Sequence, residues 1–137
     1  MASARHEVVI NAPPTRVWGL LGDVTKWSGW NKHVSKGSMM QGEEFYPGST
    51  FQYVYDGKPL AGTITLIDRP KTLAWRADNI RQSIKLEPMT GDKTKLVGEH
   101  EVSGFMVNLR KAKAEQEAQQ TIADWANSLK EAVEKAG

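Results

Sequence analysis

At Gly104 the chain changes rhythm. Between residues 32 and 102, short runs alternating apolar with polar side chains are separated by turns rich in Pro, Gly and Asp. Beyond Gly104, Ala, Glu, Gln, Lys and Leu continue to Lys135 without a proline. A period of two marks strands that bury one face, and apolar residues at i, i+3 and i+4 mark a helix. The chain is therefore read as α+β, with one long helix laid against an antiparallel sheet.

The punctuation places the elements. Strands are expected over residues 6–10, 39–45, 50–55, 60–67, 73–77, 80–87 and 95–103. Pro13-Pro14 must end the first strand, because proline cannot continue a hydrogen-bonded ladder. Pro14 suits the first turn of a short helix carrying Val17, Trp18, Leu20 and Leu21. Asp23 can cap a second short helix that carries Trp27 and ends at Gly29. Asp56-Gly57 is the signal of a two-residue hairpin, and short connections throughout imply antiparallel neighbours. A helix over residues 108–136 carries Ile122, Trp125, Ala126, Leu129 and Val133 on one stripe and spans roughly 40 Å. Glu117, Asp124, Lys130, Glu131 and Glu134 are expected to face away from that stripe.

Composition excludes several classes. No Ser/Gly/Pro-rich linker interrupts the 137 residues, so a single domain over 1–137 is expected. The chain is 39% hydrophobic and 25% charged, as expected of a soluble globular protein. Eighteen basic residues offset sixteen acidic ones to leave a net charge of +2, which disfavours nucleic acid as a partner. With no cysteine, there are no disulfides, thiolate nucleophiles or cysteine metal sites. The three histidines fall on different elements and no phosphate-cradling glycine motif occurs, so neither a metal nor another cofactor is expected. No apolar run is long enough to span a bilayer, and the start MASARHEVVINAPP lacks the core of a signal peptide, so a cytoplasmic location without integral membrane association is expected. A monomer and a homodimer are equally compatible with the sequence.

Alternation also proposes the inner face. If Phe51, Tyr53 and Tyr55 point inward, their companions are Ile64, Leu66, Leu73, Trp75, Ala77, Ile84, Leu86, Gly98, His100 and Val102, faced by Ile122 and Trp125 of the helix. Trp30, beside Asn31, would stand at the mouth of this hollow. The same side chains also describe an ordinary close-packed core, and Trp18 and Trp27 are read as core. His100 is the titratable group of most interest, being in phase with Val102 while Glu99 and Glu101 face solvent. It would hydrogen-bond a ligand carbonyl, act as general acid or base, or pair structurally with Tyr53 or Arg76. His6 and His33 are read as exposed. Arg110, Lys111 and Lys113 are read as a solvated helix face, with an acidic partner or membrane surface as the alternative.

One resemblance spans nearly the whole chain. Ile10, Ala12, Pro13, Pro14, Val17, Trp18, Leu21, Asp23, Trp27, Trp30 and Asn31 form an opening similar to that of the START-like (SRPBCC) superfamily, near its polyketide cyclase/dehydrase branch. Pro47-Gly48 with Phe51, Gly62 with Ile64, Pro70 with Leu73 and Trp75, and Leu129-Lys130 with Glu134 continue it. The resemblance implies a helix-grip fold: a curved sheet of about seven strands around the C-terminal helix, two short helices after the first strand, and a cavity between sheet and helix. It also implies a small hydrophobic or aromatic, lipid- or polyketide-like ligand as partner. Two alternatives stand beside this binding role: a cofactor-independent polyketide cyclase, aromatase or dehydratase using His100, and a non-catalytic regulatory or protein-interaction module.

Overall fold

The structure is a computed structural model and describes residues 1–136. Its seven strands are β1 (Ala2–Ile10), β2 (Val34–Met39), β3 (Thr50–Tyr55), β4 (Lys58–Asp68), β5 (Thr72–Ala77), β6 (Ile80–Met89) and β7 (Lys93–Val102). Four helices accompany them: α1 (Pro14–Leu21), α2 (Trp27–Trp30), α3 (Phe105–Leu109) and α4 (Lys111–Ala136). All the strands join one antiparallel sheet in the order β1-β7-β6-β5-β4-β3-β2, so β1 crosses over to pair with the last strand and the rest form a meander.

Local chemistry explains the turns. Tyr55 pairs with Lys58 across Asp56 (φ 48°) and Gly57 (φ 81°), the two left-handed positions of a tight hairpin whose twist matches the strands. Asp23 accepts from the Thr25 backbone N–H at 3.0 Å and from its hydroxyl at 2.6 Å, capping the 3-10 turn that leads into α2.

α4 crosses the sheet over β1 and β7 because the floor there is low. A Cβ built on Gly98 would lie 2.8 Å from the Ile122 side chain, so glycine is what lets the helix approach. Further along, Lys130 Nζ donates to the Val9 carbonyl at 2.7 Å, and the Asn11 N–H donates to Glu134 at 2.8 Å. Those two residues, expected to face solvent, bind the helix end to β1.

Four other expectations change. The strand expected over 39–45 lies earlier, at Val34–Met39, and the loop after it folds Phe45 back into the core. The terminal helix divides: Arg110 (φ −124°, ψ 46°) breaks it, separating α3 from α4. His33 is clasped rather than free, with Nδ1 2.7 Å from Asp56 and Nε2 3.2 Å from Asp124, so Asp124 also turns inward. Leu66 does not face the interior. The register of β4 against β5 shifts between Ile64 and Leu66, and this bulge turns Leu66 outward at 53% exposure while Ile67 pairs with Leu73.

Candidate ligand site

The cross-strand register writes the inner face in rows. One runs Ala4, His100, Gln82, Trp75, Ile64 across β1, β7, β6, β5 and β4. Its β4–β5 end enters an aromatic cluster and its β7–β6 centre is polar.

Trp27 is the hub of the cluster. Its ring centroid lies 5.0 Å from that of Trp75, 5.1 Å from Trp125, 5.5 Å from Tyr53, 5.6 Å from Phe51 and 6.0 Å from Phe45. Most of these contacts are edge-to-face or tilted, the arrangement that ring quadrupoles favour. Trp27, read from the sequence as core, is fully buried and its indole donates to the Leu21 carbonyl at 2.8 Å. Burial and a hydrogen bond from Trp75 Nε1 at 3.2 Å fix the Tyr53 hydroxyl, and burial pushes its pKa up to about 12. Trp30 meets Trp125 edge-on at 5.6 Å, while Tyr55 stacks between Trp125 at 5.9 Å and His33 at 5.4 Å. The rings therefore meet one another at this end of the grip.

His100 and Gln82 form the polar part of the row. His100 Nδ1 lies 2.7 Å from Gln82 Oε1, and both residues are buried. With the amide oxygen facing it, Nδ1 carries the proton and donates, leaving Nε2 as an acceptor. Burial lowers the His100 pKa to about 4, so the ring is neutral near pH 7. The second amide atom, Gln82 Nε2, is buried without a hydrogen-bond partner. Turning the amide over would exchange which atom bonds His100 and still leave one unpaired. The expected partners Tyr53 and Arg76 are not the ones found: Tyr53 is engaged by Trp75, and Arg76 is exposed on the opposite face.

The remaining candidates divide by position. Phe51, Tyr53, Ile64, Trp75 and Trp125 surround or adjoin the cluster, and Ile122 and Gly98 bring α4 onto the sheet beside it. Leu73, Ile84 and Leu86 are buried at 0–1% exposure in the same hydrophobic core. Val102 is half-buried at the end of β7. Sequence reasoning missed Gln82, although it shares the phase of Ile84 and Leu86, and it missed Phe45, which lies in a loop. A hollow of about 740 Å³ is lined by Ala4, Trp75, Gln82 and His100 of this row together with residues of the opposite phase, among them Arg5, Arg81 and Glu99. Of these residues the sequence pointed to Trp75 and His100 as lining a hollow, but not to Gln82 or to the residues of the opposite phase.

No group of three or more metal-ligating side chains occurs among the described residues. Nor is any helix among them long and apolar enough to cross a membrane.

Comparison with known proteins agrees with this geometry. The family described as polyketide cyclase / dehydrase and lipid transport matches residues 1–134. A START superfamily protein from Mycobacterium smegmatis superimposes with a TM-score of 0.79 at 15% identity, covering 100% of both chains. A protein from Mesorhizobium loti gives 0.76 at 20% identity, covering 98% of each chain. The Zhui aromatase/cyclase from Streptomyces sp. R1128 gives 0.69 at 16% identity, over 97% of this chain and 93% of that one. No curated protein matches the sequence. The shared architecture is the helix-grip fold, with the curved sheet closed around α4.

Proposed function

Since the chain belongs to the polyketide cyclase/dehydrase and lipid transport family, we propose that it binds a small hydrophobic or aromatic molecule between its sheet and α4. The observation that carries this reading is the pair His100–Gln82, set in an apolar row with an amide atom left unpaired. An unsatisfied buried polar group costs about 1–3 kcal/mol, a standing penalty that a guest bearing one carbonyl or hydroxyl would remove. The rings of Trp75 and Trp125 supply an apolar wall beside it. Because the rings close on one another, the guest enters as α4 or the β3–β4 hairpin moves away. His33 stands between those two elements, hydrogen-bonded to Asp56 at the hairpin and with Nε2 3.2 Å from Asp124 of α4.

The neutral, weakly basic state of His100 favours binding over acid–base catalysis. A ring with a pKa near 4 is a poor proton acceptor at neutral pH and has almost no imidazolium to donate. It serves as a hydrogen-bonding group. Titrating the protein with lipid, polyketide and aromatic series while following Trp fluorescence tests the proposal. The expected result is saturable quenching by at least one class, with the double variant Gln82→Leu/His100→Leu binding that class at least about tenfold more weakly. A flat response to every class would refute it.

A further inference from the structure

Phe105, Met106 and Leu109 are exposed at 76%, 60% and 64%, and all three lie on the short helix α3. Water is a poor solvent for so much adjacent apolar surface, and such patches mark contact sites. The surrounding structure holds them out. Gly104 (φ 129°) turns the chain into α3 two residues after β7, and the break at Arg110 sets α3 off from α4. Three exposed cations follow at once, Arg110, Lys111 and Lys113. Among the described residues only Lys113 of these has a carboxylate near it, Glu117 at 4.0 Å. A groove of about 310 Å³ brings the two characters together, lined by Met106, Val107, Arg110, Lys113, Ala114 and Glu117.

We infer that α3 docks on an anionic phospholipid surface, its apolar side chains entering the boundary between headgroups and acyl chains while Arg110, Lys111 and Lys113 lie against the phosphates. Apolar residues flanked by basic ones match both layers of such a surface at once. A second copy of the chain fits less well, since joining two of these patches brings the two cationic triplets together. The docking stands independently of the ligand reading above, because it uses none of the interior residues.

Flotation of the full chain with vesicles of phosphatidylcholine, with and without phosphatidylglycerol, tests this. Binding is expected to the phosphatidylglycerol vesicles alone and to weaken as salt is raised. Both Phe105→Ser/Met106→Ser/Leu109→Ser and Arg110→Gln/Lys111→Gln/Lys113→Gln should reduce it about tenfold or more. Because every substituted side chain is exposed, both variants should melt close to the parent, which separates lost docking from lost folding. Absence of binding at low salt, or binding unchanged in the apolar variant, overturns the inference. So does concentration-dependent dimerisation that the apolar variant abolishes while vesicles remain unbound.

Discussion

A buried histidine makes the fold sensitive to acid. In the folded chain His100 titrates near 4, whereas an unperturbed histidine titrates at 6.5, so between those values the unfolded chain binds the proton that the folded chain refuses. Its contribution is complete above pH 6.5 and disappears as pH falls toward 4, about 3 kcal/mol in all. Urea unfolding from pH 7.5 to 4 should therefore show a decline that His100→Leu flattens. Replacing one member of the pair and replacing both should differ in sign. Either His100→Leu or Gln82→Leu strands its neighbour and should destabilise by about 1–3 kcal/mol, whereas the double variant should be at least as stable as the parent. Chemical denaturation of the three variants decides it; a double variant weaker than both singles would mean that the pair is structural and not held for a guest. Half of this pair was legible in the sequence: alternation placed His100 inward, but a glutamine among Ile84 and Leu86 was passed over because amides are commonly solvent-facing.

At the scale of elements, the grip is set by close approaches. Gly98→Ala should cost about 1–3 kcal/mol by driving a methyl group into Ile122, and shortening that partner with Ile122→Val should recover part of the loss. Thermal melts of the four members of this cycle measure the coupling, and additive effects would show that the contact is not what limits the helix. His33→Ala should loosen the β3–β4 hairpin from α4, detectable as faster amide exchange at the hairpin end with the centre of the sheet unchanged. Most elements could be read from pattern alone, because turn chemistry such as Asp56-Gly57 is local. The failures were not local. Leu66 kept perfect alternation in sequence yet faced outward, since a bulge is a property of two paired strands that one strand does not display. The placement of β2 failed for a related reason: the buried Ser49 and Phe45 belong to a loop whose backbone is tied down by Ile64 and by the Arg69 side chain.

For the molecule as a whole, the order of the strands matters more than their number. The meander from β2 to β7 joins sequence neighbours, so each hairpin can close over a short loop. β1 is different, since Ala2 pairs with Val102 and Ile10 with Thr94. The first strand therefore waits until almost everything after it has been laid down, and α4, which rests on β1, waits with it. Assembly is thus expected to finish with a closing step in which the two ends of the chain meet. Pulse-labelled refolding should protect β3–β6 amides before those of β1; simultaneous protection would contradict it. While it waits, β1 is a bare ribbon, and its alternating Arg5 and Glu7 are the charged side chains that keep such a ribbon from pairing with strangers.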